Sequence, residues 1–265
     1  MAKRVIVALM DGVRPDAISR IRHPFFEKLT GQGACCMRGR TVAPPRAFPA
    51  HISLFTSMEP RDHGIVTNDI RPFPTAFSGL MQILREAGKQ TAAVVIWEQL
   101  CSVGRPEDIN RLDYCDAREL ENLSPEEAKQ VQDRWVDRAA DIIRKEEFDF
   151  LFFQYEMADT VGHRYGWMSD EYLEAVGYTA DAMARLYEAL GPGDQFFLLS
   201  DHGGHGFDHF DPAASEDMEV PMFCAGSLFP AGREEEDWSI LDIAPTVCKC
   251  LEVEIPAQFT GKSLI

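Results

Sequence analysis

Two short segments, DTVGH at 159–163 and SDHGGHGFDH at 200–209, bring Asp159, His163, Asp201 and His202 together with His205 and His209 within about fifty residues. A third, VIVALMDG at 5–12, ends an apolar run on Asp11. Asp and His are the side chains that hold zinc or manganese in hydrolytic sites. Each lies near the point where a short apolar run stops, and open α/β sheets bind ligands at the carboxyl ends of their strands. Asp159 and His163 are four apart, so one helical turn puts them on the same face. Together these residues supply two neighbouring cation sites: Asp11, Asp201 and His202 for one, and Asp159, His163 and a later histidine for the other. Two adjacent metals suit in-line displacement at phosphorus. Structural readings stand beside this one. Asp11 is a common type of turn residue, and Asp159 with His163 could be a helix-surface ion pair.

The elements that must position these residues alternate along the chain. Residues 4–9, 91–96, 148–155, 195–199 and 220–224 read as strands, several of them apolar enough to be buried on both faces. Helical segments are expected at 24–29, 51–58, 76–86, about 125–145, about 170–190 and 238–251. Ser124-Pro125-Glu126-Glu127 is a strong helix start. Pro245 either bends the last helix or sits near its beginning. Residues 35–43 are expected to be extended, and Pro44 and Pro45 keep the next segment out of helix. The alternation predicts an α/β fold, a mostly parallel central sheet with helices on both faces. The polar stretch 97–123 reads as an excursion and a possible small cap over the site. The expectation is one domain spanning 1–265.

Bulk properties narrow the function. A formal net charge of −17 over 265 residues argues against a nucleic-acid polymer as partner. It permits a small phosphate ester, because two divalent cations make one pocket positive on an acidic protein. The seven cysteines show no regular spacing, which fits free thiols in a reducing compartment, with cytoplasm as the default expectation. Cys248 and Cys250 lack a second pair, so they do not read as a metal site. No segment is long enough to span a membrane.

The segments VALMDGVRPD, RAFPAHISLFTS, HGIVTN, DTVGH, SDHGGHGFDH and DIAPT, in this order, resemble the nucleotide pyrophosphatase/phosphodiesterase branch of the alkaline phosphatase superfamily. The resemblance implies an alkaline phosphatase-like fold and a bimetallic, usually zinc, site that hydrolyses phosphate mono- or diesters. It implies Asp11, Asp201 and His202 as ligands of one metal. It implies Asp159, His163 and His209, rather than His205, as ligands of the other. Asn68 matches a residue that holds a phosphoryl oxygen, where an amide acts as an oxyanion donor. The departure is at the nucleophile. The family places Thr or Ser two residues before the Pro of FPxH, and this chain has Ala47 there. Its methyl can neither attack phosphorus nor bind metal. Thr41, Ser53 and Thr56 are near in sequence but outside the motif position.

Three readings of Ala47 stay open: attack by water activated on the metals, a non-catalytic phosphate-ester binder, or replacement of an active Thr or Ser. A sulfatase would need a CxPxR-like segment, which is absent from the sequence. Cofactor-independent phosphomutases share such a metal core, but no second large domain is evident. Phe48, Trp97 and Tyr155 could stack on a base or line an apolar pocket, or belong to the core.

Overall fold

The computed structural model describes residues 4–69, 71–74, 76–120 and 123–265. The chain runs β1 (Val5–Met10), α1 (Pro15–Ile21), α2 (Pro24–Gln32), β2 (Gly33–Arg40), α3 (Ala47–Thr56), α4 (Pro60–His63), α5 (Leu80–Glu86), β3 (Thr91–Val95) and β4 (Arg111–Tyr114). It continues with α6 (Pro125–Lys145), β5 (Phe150–Tyr155), α7 (Met157–Tyr165), α8 (Asp170–Tyr187), β6 (Gln195–Leu199), α9 (Ser215–Met218), β7 (Glu219–Ala225), β8 (Arg233–Glu234) and α10 (Ile243–Cys250).

Among the described residues, eight strands join one sheet in the order β4-β3-β5-β1-β6-β7-β2-β8. Only β7 is reversed: it is antiparallel to β6 and β2, and the other pairings are parallel. The expected mostly parallel α/β sheet is therefore the one observed. β1 shows why its residues make a central strand. Val5, Val7 and Leu9 enter one core cluster, with Phe55, Leu84 and Val247. Ile6, Ala8 and Met10 enter the other, with Val136, Val176 and Leu186. Successive strand side chains point to opposite faces, so an all-apolar strand needs helices on both. These are α3, α5 and α10 on one side and α1, α2, α6, α7 and α8 on the other.

The sheet order brings the ends of β5, β1 and β6 side by side, and those ends carry the chemistry-bearing motifs. Asp11 follows β1, its N–H donating to Tyr155 O of β5 at 2.9 Å. Gly12 then turns the chain at φ +68°, and a Cβ there would lie 2.9 Å from Asp159 Oδ1. Glycine is required by both the angle and the approach.

Several expected boundaries shift. The helix expected over 51–58 begins earlier, at Ala47, and that over 76–86 is confined to Leu80–Glu86. The final helix is interrupted: a 3₁₀ turn at Ile240–Asp242, capped by Ser239, precedes α10, and Pro245 sits in the first turn of α10 where its missing N–H costs nothing. The 97–123 stretch is more than an excursion. It supplies β4, which pairs with β3 at the sheet edge. Its residues RLDY are partly or fully exposed, so they carry no apolar strand signal. α1 lies outside the helical segments expected from the sequence. Phe48 and Tyr155 are core residues, 1% and 0% exposed, and Trp97 packs partly buried against the core.

The turn after β1 is held from α8. Tyr172 Oη donates to Gly12 O at 2.8 Å and accepts from Arg14 N at 3.0 Å. Tyr172→Phe leaves both backbone groups one partner short and is expected to cost about 1–3 kcal/mol. Urea unfolding checks this, and an unchanged midpoint would contradict it.

Candidate metal centre

Six side chains converge at the carboxyl ends of the three central strands. Asp11 comes from β1, Asp201 and His202 from the end of β6, Asp159 and His163 from α7 after β5. His209 comes from the loop that returns towards β7. Asp11, Asp201 and His202 form one group and Asp159, His163 and His209 a second, each with ligand atoms within 4.8 Å of one another. The rings of His202 and His209 stack at 3.7 Å with 5° between planes, so the two groups abut.

The hydrogen bonds fix which nitrogens face inward. His202 Nδ1 lies 2.9 Å from Gly203 O, His209 Nδ1 2.7 Å from Pro45 O, and His163 Nδ1 2.9 Å from Phe207 O. A carbonyl only accepts, so each Nδ1 carries a proton, and in the neutral form of each ring the lone pair is on the inward Nε2. Those Nε2 atoms face carboxylates. His202 Nε2 is 3.4 Å from Asp11 Oδ1 and from Asp201 Oδ2, and His163 Nε2 is 3.5 Å from Asp159 Oδ2. His209 Nε2 is 4.0 Å from Asp159 Oδ1.

The electrostatics are unfavourable as they stand. Among the described residues no Lys or Arg pairs with Asp11, Asp159 or Asp201; their ion-pair neighbours are histidines. Burial, then Asp201 and Asp159, push the Asp11 carboxyl far above its usual range. Burial and Asp159 push Asp201 up to about 8. Burial, followed by His209, drives His202 well down. Asp11 Oδ1, Asp159 Oδ1, Asp201 Oδ2 and His202 Nε2 are buried without a hydrogen-bond partner. Buried polar atoms are ordinarily satisfied, and a set of orphaned oxygens and one imidazole nitrogen is the donor set of a zinc or manganese ion. The residues fit two divalent cations.

The flanking loop is organised by residues that carried no motif signal. Trp167 Nε1 donates to Gly12 O at 3.0 Å, and its ring stands edge-on to His163 at 4.9 Å. Gly204 passes so close that a Cβ would lie 2.3 Å from the indole. Gln154, buried in β5, donates to Asp11 Oδ2 at 2.9 Å. A polar residue inside an otherwise apolar and aromatic strand was the available sign of Gln154. Trp167 and Tyr172 read as ordinary core residues.

Ala47 is the first residue of α3. His51, one turn on, has Nδ1 2.7 Å from Ala47 O and 3.6 Å from Asp201 Oδ2, which sets the start of α3 beside the first group. Burial lowers the His51 pKa to about 4, keeping it neutral. Asn68 Oδ1 accepts from Phe48 N at 3.1 Å, leaving the amide Nδ2 as a donor. The nearby hydroxyls are committed elsewhere. Thr41 donates to Asp201 O, Thr56 to Ile52 O, Ser53 pairs with His63, and Ser200 donates to His202 O.

Comparison with known proteins agrees with this site. The model of the family described as type I phosphodiesterase/nucleotide pyrophosphatase matches residues 5–213. The chain belongs to this family. Solved structures of the alkaline phosphatase superfamily share its fold. Murine ectonucleotide pyrophosphatase/phosphodiesterase 5 superposes with a TM-score of 0.77 at 15% identity, covering 96% of each chain. The same protein is known as an inactive threonine-to-alanine variant in complex with AMP. A phosphonate monoester hydrolase of Silicibacter pomeroyi superposes with a TM-score of 0.73 at 12% identity, covering 99% of this chain and 76% of that one. At such identities the likeness is one of fold. Among curated proteins, the 2,3-bisphosphoglycerate-independent phosphoglycerate mutase of Pseudomonas entomophila is 30% identical over 139 residues, 49% of this chain and 26% of that protein. The match covers about a quarter of the length of these relatives.

Within this family member, the structure leaves His205 outside both groups. His205 Nδ1 instead lies 2.7 Å from Asp217 Oδ1, and Asp217 Oδ2 accepts from Asp211 N, pinning the loop that carries His209. The hydrogen bond to Asp217, then its charge, raise the His205 pKa. A raised histidine pKa stabilises the fold fully below the unfolded pKa, and that contribution is lost as pH rises through the folded value. An NMR titration of the His205 ring is expected to give a value above the unfolded one, falling in Asp217→Asn. An unchanged value would contradict the pairing.

Proposed function

We propose that this chain is a two-cation phosphate-ester hydrolase in which Asp11, Asp201 and His202 hold one divalent ion and Asp159, His163 and His209 the other. Zinc is the first candidate and manganese the alternative. The observation that carries the reading is the inward set of three Nε2 atoms, each Nδ1 turned to a backbone carbonyl, against three carboxylates that each keep a buried, unpaired oxygen. Bound divalent cations supply Lewis acidity and a template for in-line displacement at phosphorus.

The chain's own groups orient the ester. Asn68 Nδ2, its carbonyl already engaged by Phe48 N, donates to a phosphoryl oxygen. The first turn of α3 adds the positive end of a ten-residue helix. The substrate is a small phosphate ester, and the family membership supports hydrolysis of mono- or diesters. The seven free thiols support a reducing compartment, cytoplasm on this reading.

Ala47 decides how the ester is attacked. With no oxygen at 47 and Thr41, Ser53, Thr56 and Ser200 committed, attack falls to water. The same residue supports a second reading, a phosphate-ester binder without turnover. The murine relative's inactive threonine-to-alanine variant in complex with AMP is a precedent for binding of that kind.

Two experiments test this. Metal analysis after reconstitution is expected to give two equivalents in the unsubstituted chain and one in His209→Ala, with His205→Ala retaining two. Loss at 205 with retention at 209 would reverse the assignment, and no transition metal in any of them would sink the reading. Turnover of aryl phosphate mono- and diesters is then compared with Ala47→Thr. Activity of the unsubstituted chain, slowed by Thr, supports attack by water. Activity only in the Thr variant supports a site complete except for its nucleophile. Inactivity in both with metals bound supports the binder.

A further inference from the structure

We infer that Gln154 is the positioning residue of the Asp11 cation site, setting which carboxylate oxygen of Asp11 is left for the ion. The inference rests on the two-cation reading above.

Gln154 lies in β5 opposite Leu9 of β1 and is fully buried. Its Oε1 accepts from the backbone N–H groups of Ile96 at 2.9 Å and Trp97 at 3.3 Å, where the chain leaves β3. Two N–H donors can be met only by an oxygen, so the network permits one orientation of the amide. Nε2 then faces the opposite way and donates to Asp11 Oδ2 at 2.9 Å. Asp11 Oδ1 is left without a hydrogen-bond partner, 3.4 Å from His202 Nε2. One oxygen of the carboxylate is thus held and the other presented.

The side chain has to be a neutral amide of this length. A glutamate would keep the acceptor for Ile96 and Trp97 but set a second carboxylate against Asp11. An apolar residue would strand two backbone N–H groups and free Asp11 to rotate. Groups that orient a metal ligand commonly govern affinity nearly as strongly as the ligand. β5 lies between β3 and β1 in the sheet, so the amide also ties the ends of its two neighbours together.

The test is zinc titration of the full apo chain in two backgrounds. His163→Ala reports the Asp11 site and Asp11→Asn reports the Asp159 site. Gln154→Met is expected to weaken zinc at the Asp11 site by about 10–100-fold, leaving the Asp159 site unchanged. Gln154→Glu keeps the acceptor for both backbone N–H groups, and circular dichroism with urea unfolding checks that both variants fold. Gln154→Glu too is expected to change zinc affinity at the Asp11 site alone. A purely structural role would weaken both sites alike. Equal loss at both, or unsubstituted affinity in both variants, overturns the inference. Failure of the unsubstituted chain to take up zinc overturns the two-cation reading itself.

Discussion

Three carboxylates, Asp11, Asp159 and Asp201, meet at the centre of the sheet edge, and among the described residues no Lys or Arg is an ion-pair neighbour of any of them. Charge so placed is costly: burial favours the protonated forms of Asp11 and Asp201, and repulsion from the neighbouring carboxylates adds to it. A cation is the physical remedy, because it pairs with the unpartnered oxygens. Much of the surrounding structure makes sense as support for that arrangement. Backbone carbonyls from two loops, Pro45 from the one before α3 and Gly203 and Phe207 from the one after β6, each accept a hydrogen bond from the Nδ1 of one histidine. The lone pairs are turned towards the carboxylates as a result. Trp167 and Tyr172 both hold Gly12 O, and so the turn that begins at Asp11.

The fold places the cluster through sheet order. β1 sits between β5 and β6, so residues about 150 to 190 positions apart in sequence end within a few ångströms of one another. Parallel strands all deliver their carboxyl ends to one edge, and a central strand with a neighbour on each side makes the crevice there. The acidic surface and the metal site are then compatible. The net charge of −17 repels polyanions at long range, and on the proposed reading a small ester would meet a local field set by the cations.

The motifs and the buried strands were legible because both are local signals. An apolar run that stops on Asp11 or Asp201 states its strand and its end together. The choice of His209 over His205 rested on motif order alone, and the structure adds a reason: His205 is committed to Asp217. Other features were out of reach for physical reasons. β4 is an edge strand with one neighbour and no buried face, so its sequence alternates in no diagnostic way. Gln154 acts through contacts with residues 96–97 and 11, and no local pattern encodes them. The residue before α3, Arg46, gives no side-chain cap, and the first-turn N–H of Phe48 is met instead from the distant Asn68, which removes the usual local sign of a helix N-terminus.

Ala47 separates two questions that the family usually answers together: whether the cluster holds cations, and whether the chain turns an ester over. The first underlies everything else. It is met most directly by anomalous diffraction at the zinc edge from crystals of the zinc-reconstituted chain. The account predicts two peaks, one enclosed by Asp11, Asp201 and His202 and one by Asp159, His163 and His209. Absence of peaks there, or zinc bound only elsewhere on the protein, would contradict it.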